Sequence, residues 1–407
     1  MPEITDTVNT YKLWSPEVRR NPQPVYKLMR KNDPIYAGIG PVSGRTFWFF
    51  TRYHDVQAAL KDPRFGKDVT KLPPDLRQQH VGTNDPDPVF DAVSRHMLNL
   101  DPPDHTRLRA LVHKAFTRKM ITDLKPRIRE IADDLLDTMT QSREANLIDA
   151  FAFPLPITVI AEMLGIPAAD RDKFRMWTTN LLFGTSEDDA RNSALEFGVY
   201  MNALIDERRD NPRADILSNL VHAEEEGDRL DRMELLSMLF LLLVADHETT
   251  VNLIGNGTLA LLTHPDQFDL LKANPELMPS AIEEMLRFNG PLETPTERYA
   301  LEDVDWDGHY IKAGDMIVPA LMAANHDPAV FPDPERFDIT RSPNPHVAFG
   351  FGIHFCLGAP LARLEGAIAL DALTRRVPTL RLNADVDTLA WTDNLLIHGL
   401  RALPVAW

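Results

Sequence analysis

The chain contains a single cysteine, Cys356, and it stands in a glycine-broken segment that runs from Phe349 to Gly358. An apolar pattern with helical spacing follows this segment directly. One cysteine cannot form a disulfide, whereas a thiolate enclosed by a tight loop is a good metal ligand. Glycines allow the backbone to turn closely around the sulfur. The segment therefore predicts a metal-binding loop. The alternative is that Cys356 is a small buried hydrophobic residue, as free cysteines often are.

The composition indicates a folded protein with a large core. The chain has 407 residues, of which 44% are hydrophobic, so it is too apolar to be disordered. No linker, repeat or low-complexity tract marks a boundary, which predicts one domain over residues 1–407. The formal net charge of −17 argues against a nucleic-acid partner, because phosphate binding needs concentrated lysine and arginine.

The sequence also predicts a cytoplasmic protein with no membrane partner. Residues 1–29 carry charges throughout and lack the apolar core of a signal peptide or membrane anchor. The longest apolar run, Met238–Ala245, is much shorter than the roughly 20 residues of a membrane-spanning helix. A single unpaired cysteine agrees with a reducing compartment.

Hydrophobic periodicity predicts a mainly α fold with a small β portion. A further helix is expected after Asp101-Pro102-Pro103, continuing through Met120. The segment Phe65–Arg95 lacks periodicity and holds several prolines, which predicts a long, functional loop. Strand patterns occur at residues 45–50 and then only after residue 298, at 316–318 and 379–382. The other helical patterns cover residues 24–31, 52–60, 124–139, 154–165, 170–183, 188–209 and 232–263.

Within the longest helical pattern, Arg232–Thr263, residues 245–250 read Ala-Asp-His-Glu-Thr-Thr. Burying acids and hydroxyls unpaired inside an apolar helix is costly, so we expect this hexapeptide to border a cavity. The alternative is a solvated kink in which a threonine hydroxyl bonds the carbonyl four residues earlier.

Three further groups of charged residues accompany these motifs. Glu284 and Arg287 are spaced as an ion pair on adjacent helical turns, and the segment Phe331–Phe337 follows them. His105 and Arg109 lie four apart on a predicted helix, which suits them to one carboxylate. Other candidate cations for such a group are Arg298 and His354. Taken singly, each of these residues is more often a surface charge.

In this order, the motifs resemble those of the cytochrome P450 family over roughly Asp101–Leu403. The FxxGxHxCxG spacing around Cys356 resembles the family's haem-ligand loop, and residues 245–250 resemble its oxygen-activating helix. The resemblance implies the cytochrome P450 fold and heme b (iron protoporphyrin IX). It also implies a monooxygenase that inserts one oxygen atom from O2 into a hydrophobic small organic substrate, by hydroxylation or epoxidation.

The resemblance also implies roles for single residues. Cys356 would be the proximal thiolate ligand, Thr249 would hydrogen-bond the oxygen, and Glu248 would feed protons inward. Glu284, Arg287 and Arg336 would form a structural network that holds the ligand loop. The substrate pocket would be lined by the Phe65–Arg95 loop and by Leu243, Val244, Leu292, Thr294, Leu396 and Ile397. The haem would be contacted by His105, Arg109, Ala245, Arg298, Phe349, Gly350, His354 and Gly358.

The sequence departs from the family at Asp246, where glycine is usual. An aspartate three residues before Thr249 adds bulk and charge on nearly the same helix face, and burial should raise its pKa. Our hypothesis is that Asp246 alters the handling of oxygen or peroxide. The alternatives are an aspartate turned into a polar pocket or an introduced substitution.

Electrons are expected from outside the chain. It has no GxGxxG after a strand and no further cysteines for an iron–sulfur cluster. The resemblance implies a ferredoxin or flavodoxin with its reductase. A basic patch for such an acidic partner could come from Lys114, Arg118, Lys119 and Arg363, or these could be solvated helix charges.

Two rival functions remain at this point. One is a peroxide-using haem-thiolate peroxygenase, which Asp246 favours. The other is a non-catalytic haem-binding or sensing protein, which would leave Glu248 and Thr249 without a purpose.

Overall fold

The computed structural model describes residues 10–40, 44–81, 95–183, 186–224 and 227–407. These residues divide into two compact units. One unit consists of residues up to Leu72, Ala132–Ala152 and Thr249–Trp407, and it contains every strand of the described residues. The other consists of Pro73–Ile131 and Phe153–Glu248, and its described elements are helical. The expectation of one domain over residues 1–407 stays a prediction.

The helices follow the predicted periodicity closely. The longest, Arg232–Thr263, has the bounds that the sequence predicts. It begins at a reciprocal cap, in which Asp231 Oδ1 accepts from the Glu234 N–H at 2.8 Å and Glu234 Oε2 accepts from the Asp231 N–H at 2.8 Å. Pro265 starts the next helix. The described α-helices are Pro16–Arg20, Gln23–Asn32, Tyr53–Lys61, Pro74–Val81, Asp104–Ala115, Arg118–Asp123, Lys125–Met139, Pro154–Met163, Arg171–Phe183, Glu187–Asp210, Ile216–Val221, Arg232–Thr263, Pro265–Ala273, Met278–Asn289, Leu321–Ala324 and Ala359–Arg376.

The strands form three small sheets. Five strands pair in the order β1-β2-β8-β5-β3, with β2 and β8 parallel and the other neighbours antiparallel. A second sheet has the order β4-β10-β9, and β6 pairs with β7. The strands are β1 Ile35–Ile39, β2 Thr46–Phe50, β3 Phe65–Gly66, β4 Glu144–Asn146, β5 Arg298–Ala300, β6 Val304–Trp306, β7 His309–Ile311, β8 Met316–Pro319, β9 Arg381–Leu382 and β10 Pro404–Ala406.

The aromatic residues of β2 explain why the five-stranded sheet is well buried. Phe47 and Phe49 pack into one apolar cluster with Tyr26 of a neighbouring helix, while Phe50 packs into another cluster with Phe65. Successive side chains of a strand point to opposite faces, so this single strand supplies both faces of the sheet.

Three expectations about local structure are wrong. The segment Phe65–Arg95 is not wholly a loop, because Phe65–Gly66 forms a strand and Pro74–Val81 forms a helix; residues 82–94, with Pro86 and Pro88, lie outside the described residues. The helix expected through Met120 ends at Ala115, and a new one starts after Thr117, whose hydroxyl caps it. Strand β4 lies well before residue 298, in a segment where no strand was predicted. It forms because it pairs with the chain's last strand.

One described helix, Arg232–Thr263, is long and apolar enough to cross a membrane by length and composition alone. However, 61% of its most apolar window is buried inside the protein, as in the core helix of a globular fold.

Candidate active site

The loop around Cys356 is folded tightly by its glycines. The Cys356 N–H donates to the Phe349 carbonyl at 3.0 Å, and the Gly350 N–H donates to the Val347 carbonyl at 2.8 Å. Gly350 and Gly352 have φ values of 72° and 78°, a region that disfavours residues with a side chain. The loop therefore returns on itself and leaves Cys356 as a partly buried thiol that forms no disulfide.

The position of Cys356 favours a thiolate. The 18-residue helix Ala359–Arg376 begins three residues after it, with a proline in its first turn. A helix N-terminus carries partial positive charge, which stabilises an anionic sulfur. A side chain at Gly358 would contact this sulfur, since a Cβ there would be 3.9 Å from Sγ.

A second layer of contacts clamps this loop. Glu283 accepts hydrogen bonds from Arg363 at 2.6 and 2.8 Å and contacts His346 at 2.9 Å. The guanidinium of Arg363 also lies 4.5 Å from the ring centre of Phe349. Burial alone would raise the pKa of Glu283, but the hydrogen bonds from Arg363 and His346 outweigh it and lower the pKa to about 2. Glu283 is thus a stable anion that ties the loop to the Met278–Asn289 helix.

The predicted pair of Glu284 and Arg287 is present and completely buried. Arg287 donates to both carboxylate oxygens of Glu284 at 2.8 Å, and both side chains are 0% exposed. Arg287 also donates to the carbonyls of Asn325, Pro334 and Arg336 at 3.0, 2.9 and 3.1 Å. A buried ion pair is stable only when its remaining donors and acceptors are satisfied, and this pair meets that condition.

The predicted network includes Arg336, although not its side chain. Arg336 joins the network through its backbone carbonyl, while its guanidinium is 65% exposed and lies 3.7 Å from Asp338. Arg341 takes the expected place, donating to Glu284 at 3.1 and 3.2 Å with a side chain that is 10% exposed. No sequence pattern indicates Arg341, because only the fold brings a residue 57 positions away against Glu284.

The polar hexapeptide 245–250 lies within an uninterrupted α-helix. Ala245 is exposed, Asp246, Glu248 and Thr249 are partly buried, and Thr250 is fully buried. The helix is continuous through this segment.

The two acids of this hexapeptide are difficult to ionise. Burial raises the pKa of Asp246 to about 7 from 3.8, and it raises the pKa of Glu248 to about 7 from 4.5. A carboxyl group with a pKa near 7 can both accept and release a proton at neutral pH. This segment therefore has the acid–base character that proton delivery requires.

The cations predicted to contact a carboxylate occur in both units. In the helical unit, His105 and Arg109 share the Asp104–Ala115 helix, where His105 is buried and Arg109 is half-buried. In the other unit, Arg298 on β5 is 4% exposed and donates to the Phe65 carbonyl at 3.1 Å. His354 follows Gly352 in the Cys356 loop and is half-buried.

Two of the predicted substrate-pocket segments lie side by side. Leu292 pairs with Ile397 in an isolated antiparallel bridge, and Thr294 donates to the Leu395 carbonyl at 2.9 Å. Leu396 accepts from the Glu293 N–H at 3.0 Å. Of the helix residues predicted for the same pocket, Val244 is half-buried and Leu243 is fully buried.

Sequence reasoning missed the residues that hold these two segments. Glu293 is 0% exposed and accepts from Tyr26 and from Arg19, whose Nη2 lies 3.0 Å from Glu293 Oε1. Arg19 also donates to the Asn394 carbonyl at 3.4 Å. An acid two residues after Pro291 is the only signal that the sequence offers, and its partner Arg19 lies 274 positions earlier.

Arg363 is not the free surface charge that the predicted basic patch requires. Its guanidinium is engaged by Glu283 and by the Phe349 ring, so it stabilises the Cys356 loop. Lys114 donates to the Glu224 carbonyl at 2.8 Å, and Lys119 pairs with Asp123 at 2.5 Å while remaining 84% exposed. Arg118 is exposed.

The donor set fits a haem-thiolate cofactor. Among the described residues, no group of three His, Cys, Asp or Glu side chains could hold a metal ion by itself. A single partly buried thiol is the donor that the protein contributes when a porphyrin supplies the other ligands.

Comparisons with known proteins agree with this geometry. The family model for cytochrome P450 matches residues 174–377. The polyketide biosynthesis cytochrome P450 PksS of Bacillus subtilis is 47% identical over 395 residues, covering 96% of this chain and 96% of that protein. The cytochrome P450 monooxygenase PikC of Streptomyces venezuelae is 45% identical over 390 residues, covering 95% of this chain and 91% of that protein.

A solved structure shows the same fold. The myxobacterial cytochrome P450 CYP267B1, in complex with myristic acid, superposes with a TM-score of 0.90 at 45% identity, covering 98% of this chain and 99% of that chain. The fold, the haem cofactor and the enzyme class follow from these matches. The protein is an oxidoreductase that inserts one oxygen atom from O2 into a small hydrophobic organic substrate, using electrons from redox partners. The chain belongs to the cytochrome P450 family of haem-dependent monooxygenases.

Proposed function

We propose that Cys356 is the proximal ligand of the haem and that residues 246–249 deliver the protons of the reaction. The observation that carries this proposal is the contrast between the two motifs. The Cys356 loop is rigidly clamped at a helix N-terminus, whereas Asp246 and Glu248 have pKa values near 7. When bound, the haem supplies the activation of dioxygen, for which an electron-rich thiolate is a favourable ligand.

The long helix supplies the protons. Glu248 takes a proton from water and passes it inward, which its pKa of about 7 permits at neutral pH. Thr249 places its hydroxyl one residue further along and orients the oxygen substrate by a hydrogen bond. Asp246 lies three residues before Thr249, on nearly the same face of the helix, and holds a second proton there.

Further residues of the chain bind and orient the cofactor. We assign the propionate carboxylates to His105, Arg109, Arg298 and His354, since cationic side chains neutralise and hydrogen-bond such groups. Small or flat residues approach the ring: Ala245, Phe349, Gly350 and Gly358. Each of these residues occupies a position that matches one of the family's motifs.

The substrate is proposed to be a lipophilic molecule. The segments around Val244, Leu292 and Ile397 are mostly apolar, as ligand pockets generally are. The name of one relative mentions polyketide biosynthesis, and the solved structure of another is a complex with myristic acid. Polyketides and fatty acids are both lipophilic. Thr294 adds one hydroxyl among these residues, although its own hydrogen bond goes to the Leu395 carbonyl.

We propose that electrons come from a ferredoxin or flavodoxin with its reductase, and that the enzyme works in the cytoplasm as one domain over residues 1–407. With Arg363 engaged by Glu283, the remaining candidates for contact with an acidic partner are Lys114, Arg118 and Lys119.

The test of proton delivery compares variants on one helix. Glu248→Gln and Thr249→Ala should lower product formation per NADH consumed, Glu248→Gln by about 100-fold in turnover, while haem content is unchanged. Thr263→Ala, at the end of the same helix, is the matched control and should behave like the parent. Unchanged turnover and unchanged coupling in both Glu248→Gln and Thr249→Ala would contradict the proposal.

Asp246 favours peroxide use as a second activity, because it adds an ionisable acid where the family usually has glycine. Asp246→Gly should lower peroxide-driven product formation and change NADH coupling. Identical values in the parent and in Asp246→Gly would exclude a role for this residue in oxygen or peroxide handling.

A further inference from the structure

A cleft of about 560 Å³ lies in the sheet-containing unit, and none of the residues assigned to the haem or the organic substrate lines it. Of the predicted structural network, Arg336 is the one member that lines the cleft. It is lined by charged and polar residues from the Gln23–Asn32 helix, from Arg52 and from the segment 326–336. The lining residues are Lys27, Arg30, Lys31, Arg52, His326, Asp327, Pro328, Asp333, Pro334, Glu335 and Arg336.

Two of the three acids in the cleft are already engaged. Asp327 accepts from the backbone N–H groups of Tyr53 and Ala329 at 2.9 and 3.0 Å. Glu335 lies 3.3 Å from His326, and this contact lowers the pKa of Glu335. Asp333 is the remaining acid, and its backbone carbonyl accepts from Arg341 at 3.2 Å.

The cations, in contrast, are mostly available. Lys27, Lys31 and Arg52 are exposed, and none of the three forms a salt bridge among the described residues. Arg52 Nε donates to the Arg30 carbonyl at 3.3 Å, which leaves its other guanidinium nitrogens for a ligand. Arg336 is 65% exposed, and its nearest carboxylate, that of Asp338, lies at the long distance of 3.7 Å. Arg30 is different, since it is buried and donates to the Ala323 carbonyl at 2.7 Å. Four accessible cations therefore face one concave surface of a protein whose net charge is −17.

The arrangement on the helix points in the same direction. Lys27 and Lys31 stand one turn apart on the Gln23–Asn32 helix, which contains no acidic residue. Like charges at this spacing repel each other, and a bound anion between them would remove the repulsion. Two guanidinium groups, Arg52 and Arg336, add planar forks that match phosphate oxygens.

We propose that this cleft binds a small molecule that carries a diphosphate group. Its volume lies within the range of small-ligand sites, about 300–1,000 Å³. Its concave shape fits a small polyanion better than the surface of a protein. A diphosphate places several negative oxygens a few ångströms apart, so Lys27 and Lys31 can both be engaged while Arg52 or Arg336 binds the second phosphate. This site is independent of the haem and of the monooxygenase reaction.

The cleft also has a physical connection to the network beneath the Cys356 loop. The carbonyl of Arg336 accepts from Arg287 at 3.1 Å and from Arg341 at 3.0 Å, while the side chain of Arg336 lines the cleft. An anion that fixes the Arg336 side chain therefore stabilises the backbone that holds Arg287. Binding should accordingly raise the melting temperature of the haem-loaded protein.

The experiment is calorimetric titration of haem-loaded protein with sodium pyrophosphate at about 0.15 M salt, where charges further apart than about 8 Å are screened. We expect saturable binding of one pyrophosphate per chain. A Lys27→Gln/Lys31→Gln variant should bind at least about 100-fold more weakly, since two charge-assisted hydrogen bonds are lost and each is worth roughly tenfold or more in affinity. Lys125→Gln, an exposed lysine outside the cleft, is the matched control and should bind like the parent.

Two further arms identify the source of the diphosphate. Tighter binding of ADP than of pyrophosphate would assign the site to a nucleoside diphosphate, and equal binding would assign it to the diphosphate group alone. No saturable binding of either anion would overturn the proposal, and so would equal weakening in the Lys125→Gln control. If the parent protein does not bind pyrophosphate and the double variant loses ferredoxin-supported turnover, the surface is a docking site for a protein partner. That result would also overturn the diphosphate proposal.

Discussion

Two regions of this protein bury carboxyl groups, and they treat them in opposite ways. Beneath the Cys356 loop, Glu283 and Glu284 are surrounded by arginine and histidine, and the pKa of Glu283 is lowered to about 2. In the long helix, Asp246 and Glu248 have pKa values raised to about 7 by burial. At Glu283 the hydrogen bonds from cations outweigh the effect of burial on the pKa, whereas at Asp246 and Glu248 burial dominates. A neighbouring cation does not always prevail, since burial also raises the pKa of Glu293 to about 7 although Arg19 binds it.

This difference separates structure from chemistry within one enzyme. A carboxylate that stays charged at every relevant pH makes a rigid support, because its hydrogen bonds never change. A carboxyl group whose pKa is near 7 makes a poor support but can exchange protons during turnover. The predictions below test this division, beginning with the support.

The largest effect is expected from removal of Arg287. Arg287→Met would leave Glu284 charged and buried without its main partner, which should cost about 3–5 kcal/mol of unfolding free energy. Denaturant unfolding and haem content are the measurements. Arg341→Met should cost less, about 1.5–3 kcal/mol, because Glu284 keeps Arg287.

Arg336→Met is the matched control for this pair. Its guanidinium is 65% exposed, so its loss should change the unfolding free energy by less than about 0.5 kcal/mol. An Arg336→Met variant as unstable as Arg287→Met would show that the side chain, and not the backbone carbonyl, belongs to the network.

The pH dependence of stability should have opposite signs in the two regions. Because Asp246 and Glu248 have folded pKa values near 7, raised from 3.8 and 4.5, the folded state keeps protons that the unfolded chain has released. Their contribution to stability is therefore present below about pH 4 and is lost as pH rises through about 7. The Asp246→Asn/Glu248→Gln variant should lack this loss when unfolding is measured between pH 4 and pH 8.

Glu283 should behave in the reverse sense. Its folded pKa of about 2 lies below 4.5, so its contribution is present above about pH 4.5 and is lost as pH falls toward 2. Relative to the parent, Glu283→Gln should be least stable above pH 4.5, with the deficit shrinking on acidification. Parallel pH curves for the two sets of variants would contradict the division between fixed and exchanging acids.

Among the residues that support the Cys356 loop, the smallest effect is expected at Arg363. Arg363→Leu removes a partly exposed ion pair with Glu283 and the contact with the Phe349 ring, which together should be worth about 1 kcal/mol. Unfolding by urea measures this change. Arg375→Leu, whose more exposed pair with Asp133 lies at the far end of the same helix, is the control and should change stability less. Equal losses would show that Arg363 is not a clamp of the loop.

The sequence predicted what is local and missed what only the fold assembles. The bounds of the Arg232–Thr263 helix and the pairing of Glu284 with Arg287 depend on short spacings, which periodicity captures. The family, the fold and the haem followed from motifs in a fixed order. Arg341 and Arg19 could not be found, because each meets its buried acid across a long stretch of chain.

Local strand propensity failed for a related reason. Strand β4 has polar residues and exists because β10 pairs with it, so no pattern within Glu144–Asn146 indicates a strand. The helix Pro74–Val81 begins with a proline, which fits a first helical turn as well as it fits a loop.

The most direct test of the central claim is the absorption spectrum of the purified, haem-loaded protein, reduced under carbon monoxide. With Cys356 as a thiolate ligand, the parent should show the strongly red-shifted Soret band of a thiolate-ligated carbonyl complex, and Cys356→Ser should lose that band. A parent spectrum without it, from folded and fully haem-loaded protein, would contradict thiolate ligation by Cys356.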